Sequence, residues 1–343
     1  MTEASKNASE ASLVLNREGH AGTILMNRPK ALNALDLGMI QDFAAAIAQW
    51  KDDASVKLVL LEGAGGRAFC AGGDVRAVRQ AAIDGDRPAV AAFFTAEYAV
   101  NEGIALFPKP WVSLIDGVCM GGGIGLSIHN GPRVVSEHAL LAMPETAIAL
   151  FPDVGTSHIL PRLPGAIGTW LALTGARMTG ADCVHAGLAT HFVPRESFPA
   201  LRAALVESGD VGVVERFAAS LPEASFAPHL AVINRCFAQP SVLAIIAALE
   251  AEGSEWANAQ VKILRRMSPT SLSVSLELLR RGAGMNLRQC LDEELKLTRT
   301  VVHDHPDFRE GVRSVLVDKD GAPSWTPPTL EAVDPAAILG LFR

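Results

Sequence analysis

Residues Trp111–Asp153 read WVSLIDGVCMGGGIGLSIHNGPRVVSEHALLAMPETAIALFPD. The stretch opens as an apolar strand, Trp111 to Ile115. It turns through Gly117 and reaches three consecutive glycines, Gly121, Gly122 and Gly123. A helix-compatible segment, Ile124 to His129, comes next, then a second strand pattern, Arg133 to Ser136. The stretch ends in a loop with two carboxylates, Glu145 and Asp153. Glycine has no Cβ, so a glycine turn between strand and helix lets backbone N–H groups approach an anion closely. Carboxylates downstream can then act as acid, base or nucleophile on whatever that turn holds.

Upstream, Ser12–Asn16 and Gly22–Met26 read as two strands joined near Gly19, and Pro29 ends the pattern in a polar turn. Asp36 is placed to cap a helix running to about Trp50, with Ile40, Phe43, Ile47 and Trp50 on one face. Val56–Leu61 reads as a buried strand. The glycine-rich run Gly63–Asp74 follows, and Asp74 is placed to cap the next helix. Ala89–Leu106 reads as a longer helix carrying Glu97. Downstream, short helices are expected at Gly155–Leu163, Ile167–Leu173 and Thr179–Ala186, with a last strand at Thr190–Val193. Strands alternating with helices give an α/β core. From Arg195 onward the pattern is helical: Phe198–Glu207, Val211–Leu221, Val242–Leu249, Trp256–Met267, Ser271–Arg281 and Leu287–Val302. Chain order thus suggests a polar, disordered tail over residues 1–12, a core over 13–197 and a helical region over 198–343.

Hydrophobic residues make up 49% and charged residues 20% of the 343, enough apolar content to bury a full core. The net charge is −7, with no basic run, so nucleic acid is not an expected partner. No apolar run is long enough to span a membrane. Five scattered cysteines, an odd number with no CxxC spacing, argue against a disulfide framework or a structural zinc site. A reducing compartment, the cytoplasm, is the expectation.

Two glycine turns stand out, AFCAGGD (Ala68–Asp74) and MGGGIG (Met120–Gly125), each following a strand. Their spacing admits two readings: an oxyanion hole made of two N–H donors, or tight turns that merely pack a helix on a sheet. The run Gly63–Ala68 also fits a dinucleotide fingerprint. That fingerprint should open a helix, whereas this loop runs on through Phe69 and Cys70. Glu145 and Asp153 each follow a proline, which makes these positions rigid. They too have a plain reading, as exposed loop carboxylates. Glu97 lies beside Phe93, Phe94 and Tyr98, either at a solvated edge or buried with an altered pKa.

Taken together, AFCAGGD, MGGGIGLS and MPETAIALFPDVG resemble the crotonase superfamily of acyl-CoA enzymes. Within it the nearest likeness is to the branch that hydrolyses 3-hydroxyacyl-CoA esters. It runs from about Val14 to Asp320 and includes FFTAEY around Glu97 and DFREGVRSVLVDKD at Asp307–Asp320. The resemblance implies a spiral core of ββα turns with C-terminal helices packing on the core or on neighbouring subunits. It implies oxyanion donors at the N–H groups of Gly73 and Gly122. The family's hydratases carry a first catalytic glutamate where this chain has Gly125, and a second at the position of Glu145. The hydrolase pattern keeps Glu145, adds Asp153, and matches Glu97 to a substrate-contacting glutamate.

The implied reaction is hydrolysis of a 3-hydroxyacyl-CoA thioester, foremost 3-hydroxyisobutyryl-CoA in valine degradation. Glu145 acts as nucleophile or base, and Asp153 and Glu97 meet the polar end of the acyl group. The resemblance also places the CoA nucleotide near Arg28 and Lys30, and the adenine and pantetheine against the loop of Ala71, Gly72 and Asp74. CoA enters as part of the substrate, with no separate cofactor and no metal. Relatives of this kind form trimers or hexamers, so a homo-oligomer is expected. The alternatives are another crotonase reaction, hydration or isomerisation, and an acyl-CoA-binding protein without turnover.

Overall fold

The computed structural model describes residues 11–343. The expected tail therefore lies, but for Ala11 and Ser12, outside the described residues. Those two are tied down: Asn27 donates its backbone N–H to the Ser12 carbonyl and its side-chain amide to that of Ala11.

The chain forms two compact units, each assembled from separated segments. One takes the chain up to Gly73, then Ala99–Leu141 and Met178–Ala224. The other takes Asp74–Tyr98, Ala142–Arg177 and Ser225–Arg343. These units do not follow chain order, as a division at 197/198 does.

The first unit is built on sheets. Its larger sheet has the order β1-β2-β3-β5-β7-β10, from strands Leu13–Glu18, Ala21–Met26, Leu58–Gly63, Trp111–Ile115, Arg133–Val135 and His191–Phe192. Only β1 and β2 pair antiparallel; β2, β3, β5, β7 and β10 run parallel. Parallel strands are covered on both faces, so they read as unbroken apolar runs. Leu58 to Leu61 are all fully buried, as is every residue from Trp111 to Ile115. One face packs Leu58, Leu60, Val112 and Leu114 against Leu201, Leu205, Val213 and Val214. The helix Leu37–Trp50 starts as expected, with the Asp36 carboxylate accepting the Met39 N–H at 2.9 Å. Its buried face is Met39, Ile40, Phe43, Ala46 and Trp50, while Ile47 stays half-buried.

A second sheet, not anticipated from the sequence, has the order β4-β6-β8-β9, from Ala68–Cys70, Val118–Met120, Leu140–Ala142 and Met178–Thr179. Strands of two or three residues show no period-two pattern, so the sequence carries no signal for them. They matter because β4 and β6, paired in parallel, are the strands that lead directly into the two glycine turns.

The second unit is helical. Its longest helices are Pro269–Gly282 and Leu287–His303. The segment expected as a helix at Val211–Leu221, in the first unit, is instead a short 3-10 turn, Val211–Arg216. Three valines around Gly212 are poor helix formers and give no single apolar stripe.

Candidate active site

In the sheet-based unit, β4 delivers Gly72 and Gly73 and β6 delivers Gly121 and Gly122. Gly72 has φ +102°, and a Cβ added there would lie 3.2 Å from the Met120 carbonyl oxygen and 3.6 Å from the Gly122 nitrogen. The two turns therefore approach backbone to backbone, which only glycine permits at this φ. The first turn is anchored by Leu35 N–H to Gly72 O, 2.9 Å, and Ala71 N–H to Leu32 O, 3.0 Å. Gly122 is the first residue of the helix Gly122–Ile128, so its N–H has no acceptor within that helix. Gly125 is buried in the same helix and offers no side chain.

The nucleotide-binding residues expected from the resemblance are placed as follows. Arg28 is half-buried and turned inward, donating to the Ala34 carbonyl at 2.6 Å and pairing with Asp36 at 3.3 Å. Lys30 is exposed on the adjacent turn Pro29–Ala31. Asp74 stands at the N-cap of the helix Val75–Ile83 without a side-chain cap bond.

In the helical unit, Glu97, Glu145 and Asp153 are all buried, at 3%, 6% and 5% exposure. The plain reading of exposed loop carboxylates is thus excluded. Glu145 opens a 3-10 turn, Glu145–Ile148, after Pro144. That turn is pinned by Thr146, whose hydroxyl donates to Leu173 O at 3.2 Å and whose carbonyl accepts the Ser268 N–H at 3.3 Å. The Ser268 hydroxyl in turn donates to Asp307 at 2.9 Å, so the late DFREGVRSVLVDKD segment buttresses the turn bearing Glu145. Asp153 receives the Tyr98 hydroxyl on Oδ2 at 2.7 Å. Glu97 Oε1 and Glu145 Oε2 are buried and have no hydrogen-bond partner. Buried polar atoms left open in this way suit a site that acquires its partners from a ligand.

The three carboxyls share one electrostatic field. Burial, and next the charge of Asp153, push both Glu145 and Glu97 well above the usual carboxylate range. Burial also raises Asp153, to about 6, against the lowering effect of the Tyr98 bond. Each of the three carboxyls is thus held above its ordinary range, and each bears on the protonation of the others.

Sequence reasoning missed two residues of this cluster. Tyr98, the only tyrosine of the chain, entered merely as a neighbour of Glu97. Glu294, fully buried on the helix Leu287–His303, accepts the Gly155 N–H at 2.8 Å and is pushed up to about 8 by burial and by Asp153. Its signal was present: it occupies the apolar stripe of Cys290, Leu291, Leu297 and Val301, where a charged residue is out of place.

Known proteins resemble this chain. The family model for enoyl-CoA hydratase/isomerase matches residues 21–342. The chain is 46% identical, over 94% of its length and 86% of the relative's, to the mitochondrial 3-hydroxyisobutyryl-CoA hydrolase of Xenopus tropicalis. It is 42% identical to that of Homo sapiens, over 96% and 88%. Among solved structures, a carnitinyl-CoA dehydratase from Mycobacterium thermoresistibile superposes with a TM-score of 0.92 at 38% identity, covering 97% of this chain and 96% of that one. An enoyl-CoA hydratase from Rhodobacter sphaeroides 2.4.1 gives 0.91 at 41% identity, with 97% of each chain covered. These are full-length likenesses in both sequence and fold. The chain belongs to the enoyl-CoA hydratase/isomerase family, the crotonase superfamily.

Proposed function

We propose that this chain hydrolyses a 3-hydroxyacyl-CoA thioester, converting 3-hydroxyisobutyryl-CoA to 3-hydroxyisobutyrate and CoA. The observation that carries the reading is the buried trio Glu97, Glu145 and Asp153, combined with a bare Gly125 where a hydratase needs its first glutamate. The names of the curated relatives support it.

In this reading the thioester carbonyl oxygen takes the N–H groups of Gly73 and Gly122. As the carbonyl carbon becomes tetrahedral, negative charge gathers on that oxygen, and the donors stabilise it there. Glu145 attacks the carbonyl carbon or removes a proton from the attacking water. Either role requires Glu145 in its ionised form, which burial and the charge of Asp153 disfavour until the substrate is bound. Asp153 also accepts the substrate's 3-hydroxyl. A plain acyl ester would leave that buried carboxylate unpaired, which gives selectivity for the hydroxylated substrate. Glu97, whose buried Oε1 has no partner and whose carboxyl is pushed upward by burial, would meet the polar end of the acyl group. The carboxyl that retains its proton protonates the departing thiolate, so water is consumed and free acid and thiol are released.

Lys30 and the Ala71–Gly72 loop would contact CoA, and assembly as a trimer or hexamer would follow the family habit. Five buried cysteines that form no disulfide support a reducing compartment, and the relatives named above are mitochondrial.

The names of the two superposable structures favour a second reading, hydration of an enoyl-CoA with Glu145 alone. Thiol release decides between them. Purified protein is offered 3-hydroxyisobutyryl-CoA, 3-hydroxypropionyl-CoA, isobutyryl-CoA and crotonyl-CoA. Fast release from the two hydroxylated esters and slow release from isobutyryl-CoA is expected. Loss of the crotonyl double bond with no thiol released would overturn the hydrolase reading.

A further inference from the structure

The segment that carries Asp153 is locally strained. Val154, a β-branched residue, has φ +53°, and Gly155 follows at +79°. A branched side chain is disfavoured in this region, and such a backbone persists only where its surroundings over-determine it. Here the surroundings are identifiable. Glu294 accepts the Gly155 N–H at 2.8 Å and the Ser157 N–H at 3.3 Å, and it also bonds the Ser157 hydroxyl. All three bonds land within three residues after Val154, and none comes from a cation. The Thr156 hydroxyl donates back to the Asp153 carbonyl at 2.7 Å, and its N–H to the same oxygen at 2.9 Å. Beneath the turn, a Cβ on Gly282 would lie 2.1 Å from the Ser157 carbonyl oxygen, so the next helix presses directly on this backbone. At the other end, Tyr98 fixes Asp153 Oδ2.

A carboxylate with no cationic partner is expensive to bury, and an apolar residue would fill a helix stripe at less cost. Glu294 is nonetheless fully buried, with every one of its bonds on this turn. We propose that Glu294 is a positioning residue that holds the strained Asp153–Ser157 turn, aims the Asp153 carboxyl at the substrate hydroxyl, and thereby sets the preference for hydroxylated over plain acyl-CoA. The inference rests on the hydrolase reading above and deepens it.

The test has a readout that does not depend on turnover. Tyr98 is the only tyrosine, so tyrosine labelled with 13C at Cζ gives one NMR signal, and that signal reports the bond to Asp153. Glu97, Glu145 and Glu294 are the other titratable groups in this field. In Glu294→Gln the Tyr98 signal is expected to move and its pH midpoint to shift from the wild-type value. The kcat/KM ratio of 3-hydroxyisobutyryl-CoA to isobutyryl-CoA should fall at least about tenfold, mostly through the hydroxylated ester. Ser157→Ala, which removes one of the three bonds, should show a smaller change in the same direction and carries the test if the glutamine variant does not fold. A lower melting temperature with an unmoved Tyr98 signal and an unchanged ratio would reduce Glu294 to a purely structural group and overturn the inference. If wild type cleaves neither ester, the hydrolase reading fails by itself, and the Tyr98 signal still decides whether Glu294 positions Asp153.

Discussion

In the sheet-based unit, Gly72, Gly73, Gly121 and Gly122 carry no side chains and present only backbone. In the helical unit, Glu97, Glu145 and Asp153 offer side chains, and solvent has been withdrawn from around them. The first arrangement stabilises charge by geometry and does not titrate. The second stores protons at positions set by burial and by mutual repulsion. A thioester hydrolase needs both, a fixed receiver for the oxyanion and a movable proton. The contrast also explains why Gly125 matters as much as Glu145. In the proposed reading, the absent carboxylate and the retained one would favour water attack on the carbonyl over water addition to a double bond.

That contrast can be broken or sharpened by substitution. The largest effect is expected for Glu145→Gln, which keeps the shape and removes the proton chemistry. Its kcat on 3-hydroxyisobutyryl-CoA should fall roughly 10²–10⁴-fold, the usual range for a positioned acid or base, with folding unchanged by circular dichroism. A fall of less than about threefold would mean that Glu145 does no chemistry. Gly122→Ala should cost about 10²–10³-fold in kcat through displaced backbone, the range seen when one oxyanion donor is lost. Because that donor does not titrate, the pH at which activity half-appears should stay where it is in wild type. A moved midpoint would contradict the division of labour between the two regions.

Asp153→Asn comes next. It should reduce the preference for hydroxylated over plain acyl esters by roughly tenfold or more, read as a ratio of kcat/KM values. Equal losses on both esters would remove Asp153 from hydroxyl recognition. The smallest effect concerns stability. Glu294 is raised in the folded state from 4.5 to about 8, so folding favours its protonated form. Its contribution is fully present below about pH 4.5 and is lost as pH rises towards 8. Urea unfolding of wild type and Glu294→Gln at several pH values should show a flatter dependence for the variant over that window. Parallel curves would mean that Glu294 does not carry the raised pKa.

The two regions also differed in how far they could be read from sequence. Glycines advertise themselves, and the two turns were legible because Gly72, at φ +102°, and Gly123, where a Cβ would lie 2.4 Å from the Cys70 carbonyl oxygen, leave no room for another residue. The prolines before Glu145 and Asp153 marked rigid positions, but burial depends on what packs over a loop, and those elements lie far along the chain. Ser268 and Glu294 reach the loop from more than a hundred residues away, and Asp307 supports it through Ser268. The strands β4, β6, β8 and β9 are too short to show periodicity, so the sheet that sets up the glycine turns was invisible. Arg28 was placed near the CoA nucleotide by the resemblance alone, and nothing in its local sequence shows that its guanidinium bonds Ala34 and Asp36. Glu294 was the recoverable omission, a charge on an apolar stripe.

The most direct measurement is thiol release from 3-hydroxyisobutyryl-CoA by the wild-type protein, followed from about pH 4 to pH 9, with isobutyryl-CoA beside it. The account requires an ionised carboxyl within a buried cluster in which burial raises every member, Asp153 to about 6. It therefore predicts rapid release from the hydroxylated ester that falls away as pH drops through about 6 or higher, and weak release from isobutyryl-CoA at every pH. Equal release from both esters, or activity persisting down to the ordinary carboxylate range near pH 4, would contradict it.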